Sequence, residues 1–469
     1  MTVDYSDSDE DSPLNLSSSR EIERAGKAQK RHSWHGLRRR TKCFFKYKHI
    51  IIASIGFQVL IIVAITSYEL NRGENGAYFP TVPSFSFSGM ELEQTCSVME
   101  EKGTNETTRL DNTSTGTPGE IPNLVHYVWI LKDPDVLRLN FKMFISVYST
   151  HLYIRPDKIY LHTDATPDVI AQARESGDVW TRRILALSEI TINHISAPSH
   201  TSKGVKIINM EHKADFLRLD AVREFGGLYM DTDAIPLRDI SDLRRAGFAN
   251  VVGGAVALRI QHTGLLNNGV FLARPNTALL NIWTKASDEA FDGRWETASI
   301  HLLTNLANRL MAIPREILIL HPSAFAPVSW EYEDQKRLFI PNKLPSSPLT
   351  SSVTPSMTAI EQGEPGRLLA TCMDAVSWLE EREKAESDRE EWEIDFSSTY
   401  ILHAFDDLAE TLPGWDHNID VGYVLARRSN YARAVYPAIA HAVRSGVIPY
   451  EEIVSSRRRA STVALNLGP

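Results

Sequence analysis

The sequence predicts an α/β domain with a mainly parallel sheet, and three observations lead there. Short apolar strands alternate with helical patterns from residue 121 onward. Residues 211–240 read as a helix, a Gly-Gly stop and a strand in direct succession. The 469 residues, 43% of them hydrophobic, suffice for one large domain or two smaller ones plus tails, and carry no internal repeat. Only Cys43, Cys96 and Cys372 occur, which excludes a disulfide framework or a cysteine zinc site and leaves a single Cys96 to Cys372 bridge open. The net charge of −9 gives no global basic field, so nucleic acid is not an expected partner.

Residues 1–48 are Ser/Asp-rich and then Arg/Lys-rich, with too few apolar residues for a core, and are expected to form a flexible tail. Residues 50–67 then run without a charge, with Gln58 the one strongly polar side chain. That length meets the lower limit for a helix crossing a bilayer; a cleaved signal peptide would have a shorter apolar core nearer the amino terminus. A transmembrane helix over 49–68 is therefore expected. Arg38, Arg39, Arg40, Lys42, Lys46 and Lys48 precede the span, whereas Glu69, Arg72 and Glu74 follow it. The positive-inside rule makes this a single-pass type II anchor, with the tail cytosolic and the remainder lumenal. Cys43 beside the span can be read as a palmitoylation site, but an unmodified thiol is the plainer reading.

Residues 69–119 are rich in Gly, Ser, Thr and Pro and carry the sequons Asn105-Glu106-Thr107 and Asn112-Thr113-Ser114, as expected of a solvated, glycosylated stem. A catalytic domain over 120–455 follows, with an insertion at 340–398 and a tail at 456–469. Its first strand is Leu124-Val125-His126-Tyr127-Val128-Trp129-Ile130, followed by a helical pattern from Leu139 to Tyr148, a strand from Lys158 to His162 and a helix from about Pro167. Residues 367–392 read as an acidic, partly amphipathic helix.

Residues 211–240 carry the chemistry. Leu217, Ala221 and Phe225 form one helical stripe, while Asp215 and Arg218, three apart, share another face. Gly226-Gly227 ends the helix, and strand alternation then puts Tyr229, Asp231 and Asp233 on one face. Two carboxylates at a strand end can share a hard divalent cation, which in turn can hold a diphosphate and offset charge growing on a departing phosphate. Acidic pairs at this spacing also occur in the tail and around Pro134, and a plain β-turn is the structural alternative. Only Asp231 and Asp233 follow a helix, a Gly-Gly stop and an apolar strand.

The string Asp215, Arg218, Gly226, Gly227, Tyr229, Asp231 and Asp233, at its spacing, resembles glycosyltransferase family 32, which includes fungal Golgi mannosyltransferases and animal α-1,4-galactosyltransferases. Ile121-Pro122-Asn123 with His126-Tyr127-Val128-Trp129, and Asn267-Asn268-Gly269-Val270-Phe271, resemble its first strand and its later Asn-Gly strand. The resemblance covers residues 121–285 and implies a GT-A (Rossmann-like, nucleotide-sugar-binding) fold, a nucleotide-sugar donor, a divalent cation (Mn²⁺ or Mg²⁺) and retention of anomeric configuration. By position it implies that Asp233 ligates the cation and that Asp231 contacts both cation and ribose. Asp215 and Arg218 would then hold the donor sugar and its phosphates. Trp129 either stacks on the nucleobase or is a core aromatic. Tyr229 is read first as packing, and Asn268 as a contact to donor or acceptor hydroxyls or as a turn residue. A further metal ligand is implied near the carboxyl end. His403, ending the run Thr399 to His403, is the candidate, against a structural histidine, with His417 in reserve; Ala404 departs from the aromatic that relatives more often show there.

The expected function is metal-dependent transfer of a hexose, mannose first and galactose second, to a glycan or glycolipid at the Golgi membrane. A metal-dependent phosphodiester or nucleotide hydrolase and a catalytically silent lumenal scaffold are the alternatives. Intact Asp231 and Asp233 weigh against the scaffold.

Overall fold

A computed structural model describes residues 119–255, 264–343, 372–387, 389–406, 411–413, 415 and 418–449. The expected tail, membrane span, stem and carboxyl-terminal tail, Cys43, Cys96 and His417 lie outside these residues. No helix among the described residues is long and apolar enough to cross a membrane. Cys372 is disulfide-bonded, with its partner outside the described residues.

Seven strands form one sheet in the order β3-β2-β1-β4-β7-β6-β8. They are β1 (Leu124–Trp129), β2 (Lys158–Thr163), β3 (Ile190–His194), β4 (Gly227–Met230), β6 (Asn250–Gly254), β7 (Leu266–Ala273) and β8 (Ile317–Leu320). The pairs β1 with β2, β1 with β4, β2 with β3 and β6 with β8 are parallel, and only the two pairs made by β7 are antiparallel, so the expected parallel α/β sheet is present. A small second sheet pairs β5 (Ala234–Pro236) with β9 (Ile401–His403).

Both faces of the main sheet are covered, which is why its central strands read as apolar runs. Val125, Tyr127, Leu228, Met230, Val270 and Leu272 point into one cluster, beside α1 (Phe141–Ser149). The alternate positions Val128, Tyr229, Phe271 and Ala273 point into another. There they meet Leu217 and Val222 of α4 (Met210–Phe225) and Trp283 of α6 (Ala278–Ala290). Between α1 and α4 run α2 (Pro167–Ser176) and α3 (Val179–Leu185), and α5 (Ser241–Arg244) precedes β6. After β7 and α6 come α7 (Leu302–Leu310), α8 (Tyr332–Phe339), α9 (Cys372–Ser387), α10 (Val421–Ala426) and α11 (Asn430–Arg444). The acidic helix expected over 367–392 is thus the shorter α9, with residues 344–371 outside the described part.

The joint from α4 to β4 positions the site. Gly226 has φ 67° and ψ 179°, so it ends the helix at positive φ but in the extended glycine region, not in the left-handed helical one expected. A Cβ there would lie 2.7 Å from Pro275 Cδ, and one at Gly227 (φ 111°) 2.5 Å from the Leu124 carbonyl oxygen, so close backbone approach also demands glycine. The Gly226 carbonyl accepts from His126 at 2.7 Å, His126 Nδ1 meets His162 Nε2 at 3.0 Å, and His162 Nδ1 meets Asn193 Nδ2 at 2.9 Å. An amide nitrogen donates at one end and a carbonyl accepts at the other. The chain therefore runs one way through two neutral imidazoles, and burial holds His126 down at about 4 and His162 at about 3.

Candidate active site

The site lies where the parallel strands β1 and β4 end, the usual place for a ligand in an open α/β sheet. Strand β4 stops at Met230, and Asp231-Thr232-Asp233 is a turn closed by the Ala234 amide donating to the Asp231 carbonyl at 3.0 Å. The alternation expected to put Tyr229, Asp231 and Asp233 on one strand face therefore fails after Tyr229. The turn itself aims the carboxylates together, so the turn and the cation-binding readings describe the same residues.

Asp231 divides its two oxygens. Oδ1 accepts from the Tyr229 hydroxyl at 2.6 Å and pairs with Arg218 at 3.1 Å, while Oδ2 faces His403 Nε2 at 3.7 Å. Asp233 does likewise: Oδ2 accepts from the Asp406 amide at 3.3 Å, and Oδ1 lies 3.3 Å from His403 Nε2. His403 reaches them because β9 pairs with β5, the strand that follows the turn, placing Ala234 opposite His403. The imidazole is buried and stacked on Phe405, with ring centroids 4.0 Å apart. Beyond the carboxylates, Asp406 carries an ion pair to Lys142 at 2.8 Å.

Arg218 links this group to a second polar cluster. Its guanidinium pairs with Asp215 at 3.1 Å, donates to the Asn268 carbonyl at 2.8 Å and lies 4.6 Å over the Tyr229 ring. Asn268 Nδ2 donates to Asp215 Oδ1 at 2.8 Å. Burial pushes the Asp215 carboxyl up to about 6, with Arg218 opposing and Asp231 adding to the rise. Tyr229 is held well above the usual phenol range, chiefly by burial, and stays a hydrogen-bond donor. Tyr229 therefore packs, as expected, and also holds Asp231.

Asp231, Asp233 and His403 each offer one ligand atom, and these atoms lie within 4.8 Å of one another. Two carboxylates and an imidazole form a donor set suited to a divalent cation. Gly269 supports the fit: a Cβ there would lie 2.5 Å from Asp231 Oδ2 and 2.4 Å from His403 Cε1, so a bare glycine keeps the space among the ligands open. Although burial works against a charged imidazole, Asp233 raises the pKa of His403, and His403 in turn lowers that of Asp233 against its own burial. Each group thus favours the charged form of the other.

Of the residues singled out in the sequence, Asp215, Arg218, Tyr229, Asp231, Asn268, Asp233 and His403 form one connected network. Trp129 stands apart from it. The indole closes β1 at the same sheet end, partly buried against the larger core. Asn267 is buried and turns its side-chain oxygen back to the Gly269 amide at 2.7 Å, a backbone role. Sequence reading missed Lys142 and Asp406, the supports of Asp233; Asp406, three residues after His403, was the one with a local signal.

Comparison with known proteins supports a glycosyltransferase for this α/β domain, in which an acidic turn, a buried arginine and an imidazole converge. Residues 143–249 match the family described as "Glycosyltransferase sugar-binding region containing DXD motif". That stretch contains Asp215, Arg218, Tyr229, Asp231 and Asp233; Asn268 and His403 lie beyond it. The chain is similar to Glucan organizing enzyme 1 of Cryptococcus neoformans var. grubii serotype A, with 26% identity over 226 residues. That alignment takes in 46% of this chain and 57% of the relative, so it spans little more than half of the relative's length. Similar solved structures include PaToxG glycosyltransferase, at 14% identity over 48% of this chain and 79% of that one, with a TM-score of 0.29. Another is the glycosyltransferase GlyE of Streptococcus pneumoniae, at 17% identity over 42% and 45%, with a TM-score of 0.26.

Proposed function

We propose that this chain transfers a hexose from a nucleoside diphosphate sugar to a glycan or glycolipid, with retention of configuration, on a GT-A-type catalytic domain. The observation that carries the reading is the convergence of Asp231, Asp233 and His403 beside the Arg218, Asp215 and Asn268 cluster. Asp231 Oδ2, Asp233 Oδ1 and His403 Nε2 would hold the cation. When bound, a divalent cation neutralises charge on the diphosphate as the glycosidic bond breaks. Arg218 contributes fixed positive charge in a buried setting and, through Asp231, keeps the carboxylate pair from repelling itself. Asp215 and Asn268 present hydrogen-bonding groups for sugar hydroxyls. Mannose from GDP-mannose is the first donor to test and galactose from UDP-galactose the second.

A type II anchor at residues 49–68 and a lumenal, Golgi catalytic domain complete the proposal. The sequence pattern supports the anchor, and the disulfide at Cys372 suits an oxidising lumen. Protease protection of the full chain in sealed microsomes tests the orientation: residues beyond 68 are expected to survive until detergent is added, and their digestion without it would refute the topology.

A further inference from the structure

His403 is the candidate ligand that reaches the acidic turn from a distant part of the chain, and polar contacts hold its ring at one edge only. Nε2 faces Asp231 Oδ2 at 3.7 Å and Asp233 Oδ1 at 3.3 Å. Nδ1 is buried and has no hydrogen-bond partner among the described residues. A neutral imidazole that offers one nitrogen to a cation carries its proton on the other, and a hydrogen bond from that N–H is the usual means of fixing the ring's rotation. No protein group supplies it here. Instead Phe405 stacks on the imidazole, with centroids 4.0 Å and planes 30° apart. Gly269 closes the Nδ1 and Cε1 edge, where an added Cβ would come within 2.9 Å and 2.4 Å.

Phe405 adopts an unusual backbone to do so. Its φ of 52° lies in the left-handed region, which a bulky side chain rarely enters and keeps only where its surroundings impose it. The surroundings here are polar ties on both sides. The Ala404 amide donates to the Asp233 carbonyl at 3.1 Å, and Gln335 Nε2 donates to the Ala404 carbonyl at 3.1 Å. The Asp406 amide donates to Asp233 Oδ2 at 3.3 Å, and the Asp406 carboxylate pairs with Lys142 at 2.8 Å. An extended strand would keep side chains two positions apart by about 6–7 Å. The left-handed bend between Ala404 and Asp406 brings the phenyl ring back over the imidazole, and Trp330 backs it edge-on at 5.9 Å.

We propose that Phe405 is a positioning residue of the cation site: its ring, held over His403 by a left-handed backbone, sets the imidazole with Nε2 towards the two carboxylates. The inference rests on the cation site of the transferase reading and goes beyond it in naming what orients the imidazole. Stacking takes the place of the hydrogen bond that Nδ1 lacks among the described residues. Backbone and ring have separate tasks. The bend presents the Asp406 amide to Asp233, whereas the aromatic face acts on His403 alone.

The test measures binding of Mn²⁺ alone to the full chain, with free Mn²⁺ counted by its electron paramagnetic resonance signal, so that no turnover is needed. Phe405→Asn removes the aromatic face but keeps a residue type that tolerates the left-handed backbone. It is expected to weaken Mn²⁺ binding about 10-fold, while Phe405→Tyr, which keeps the ring, binds as the wild type does. The effect is expected to vanish in the His403→Ala background, because a residue that acts through His403 has nothing to act on once the imidazole is gone. A packing role alone would not produce that coupling. Phe405→Leu, which fills the space without an aromatic face, replaces Phe405→Asn with the same expectations if the latter fails to fold. Wild-type affinity in the variant without the ring, or an equal loss with and without His403, overturns the proposal and leaves the cation site standing. If His403→Ala itself binds Mn²⁺ as the wild type does, the imidazole is not a ligand and the proposal falls with it. A folded wild type that binds no Mn²⁺ removes the cation site as well.

Discussion

At the scale of the residue, the division of labour between oxygens explains how two adjacent carboxylates are tolerated. Asp231 Oδ1 is held by Tyr229 and Arg218, which leaves Oδ2 free to face His403. Groups that orient a metal ligand typically account for 10–100-fold in metal affinity or activity. Tyr229→Phe, which keeps the ring under Arg218 but removes the 2.6 Å hydrogen bond, is therefore expected to weaken Mn²⁺ binding about 10-fold, as read from the Mn²⁺ dependence of turnover. An unchanged Mn²⁺ requirement would assign Tyr229 to packing alone. Much of this was legible in the sequence, because Asp215, Arg218, Asp231 and Asp233 lie on one continuous helix, turn and strand unit. Tyr229 was legible as a motif residue on the same strand face as the two carboxylates, but was read first as packing. The two-residue spacing puts Tyr229 and Asp231 on one face, but the hydrogen bond between them forms across a turn that spacing does not show.

At the scale of the element, two glycine sites carry backbone demands that side chains cannot meet. Gly226 joins α4 to β4 at φ 67°, against Pro275, so Gly226→Ala is expected to destabilise the fold by about 1–3 kcal/mol, measured as a lower urea midpoint. Gly269 is different. Its φ is unexceptional, but its missing Cβ leaves room among Asp231 and His403. Gly269→Ala is expected to abolish metal-dependent activity while shifting the urea midpoint less than Gly226→Ala does; retained activity would contradict the crowding seen there. The Gly-Gly stop was readable from sequence, since glycine is the usual residue at such a joint. Why Gly269 must be glycine was not, because the collision is with His403, 134 positions away in the chain but neighbouring through the β5 and β9 pairing. The length of β4 was misread for a related reason: alternation continues in the letters past Met230, whereas the chain turns to let β5 leave the sheet.

At the scale of the whole molecule, the parallel sheet was legible as alternating apolar strands and helices, and β1, β2, α2 and α4 fall close to their expected positions. The strand at Asn267 to Phe271 was legible too, but the antiparallel pairing of β7, the second sheet and the supports Lys142 and Asp406 were not, since each depends on pairing between distant segments. The chain from Asn193 through His162 and His126 to Gly226 is a similarly global feature, tying β3, β2, β1 and the α4 to β4 joint together. Its pH consequence follows from burial. The unfolded chain takes protons on these rings below about 6.5, whereas the folded rings refuse them down to about 4 and 3, so their stabilisation is complete above 6.5 and lost as pH falls. Each ring contributes about 2 kcal/mol to the loss between pH 7 and pH 5. His403, whose pKa is raised, acts in the opposite sense. The effect is therefore read as a difference: His162→Asn, assayed by urea unfolding across that range, is expected to lose about 2 kcal/mol less than the wild type. Equal slopes would show that His162 titrates normally. The central claim, that Asp231, Asp233 and His403 serve sugar transfer, meets its most direct test in nucleoside diphosphate release by the purified full chain. The assay runs across a panel of nucleotide sugars with Mn²⁺ or EDTA, beside Asp233→Ala. Metal-dependent release from one donor, reduced at least about 100-fold in Asp233→Ala, is the predicted result. Release that persists in EDTA or survives Asp233→Ala, or silence from a folded chain that binds no donor, would contradict it.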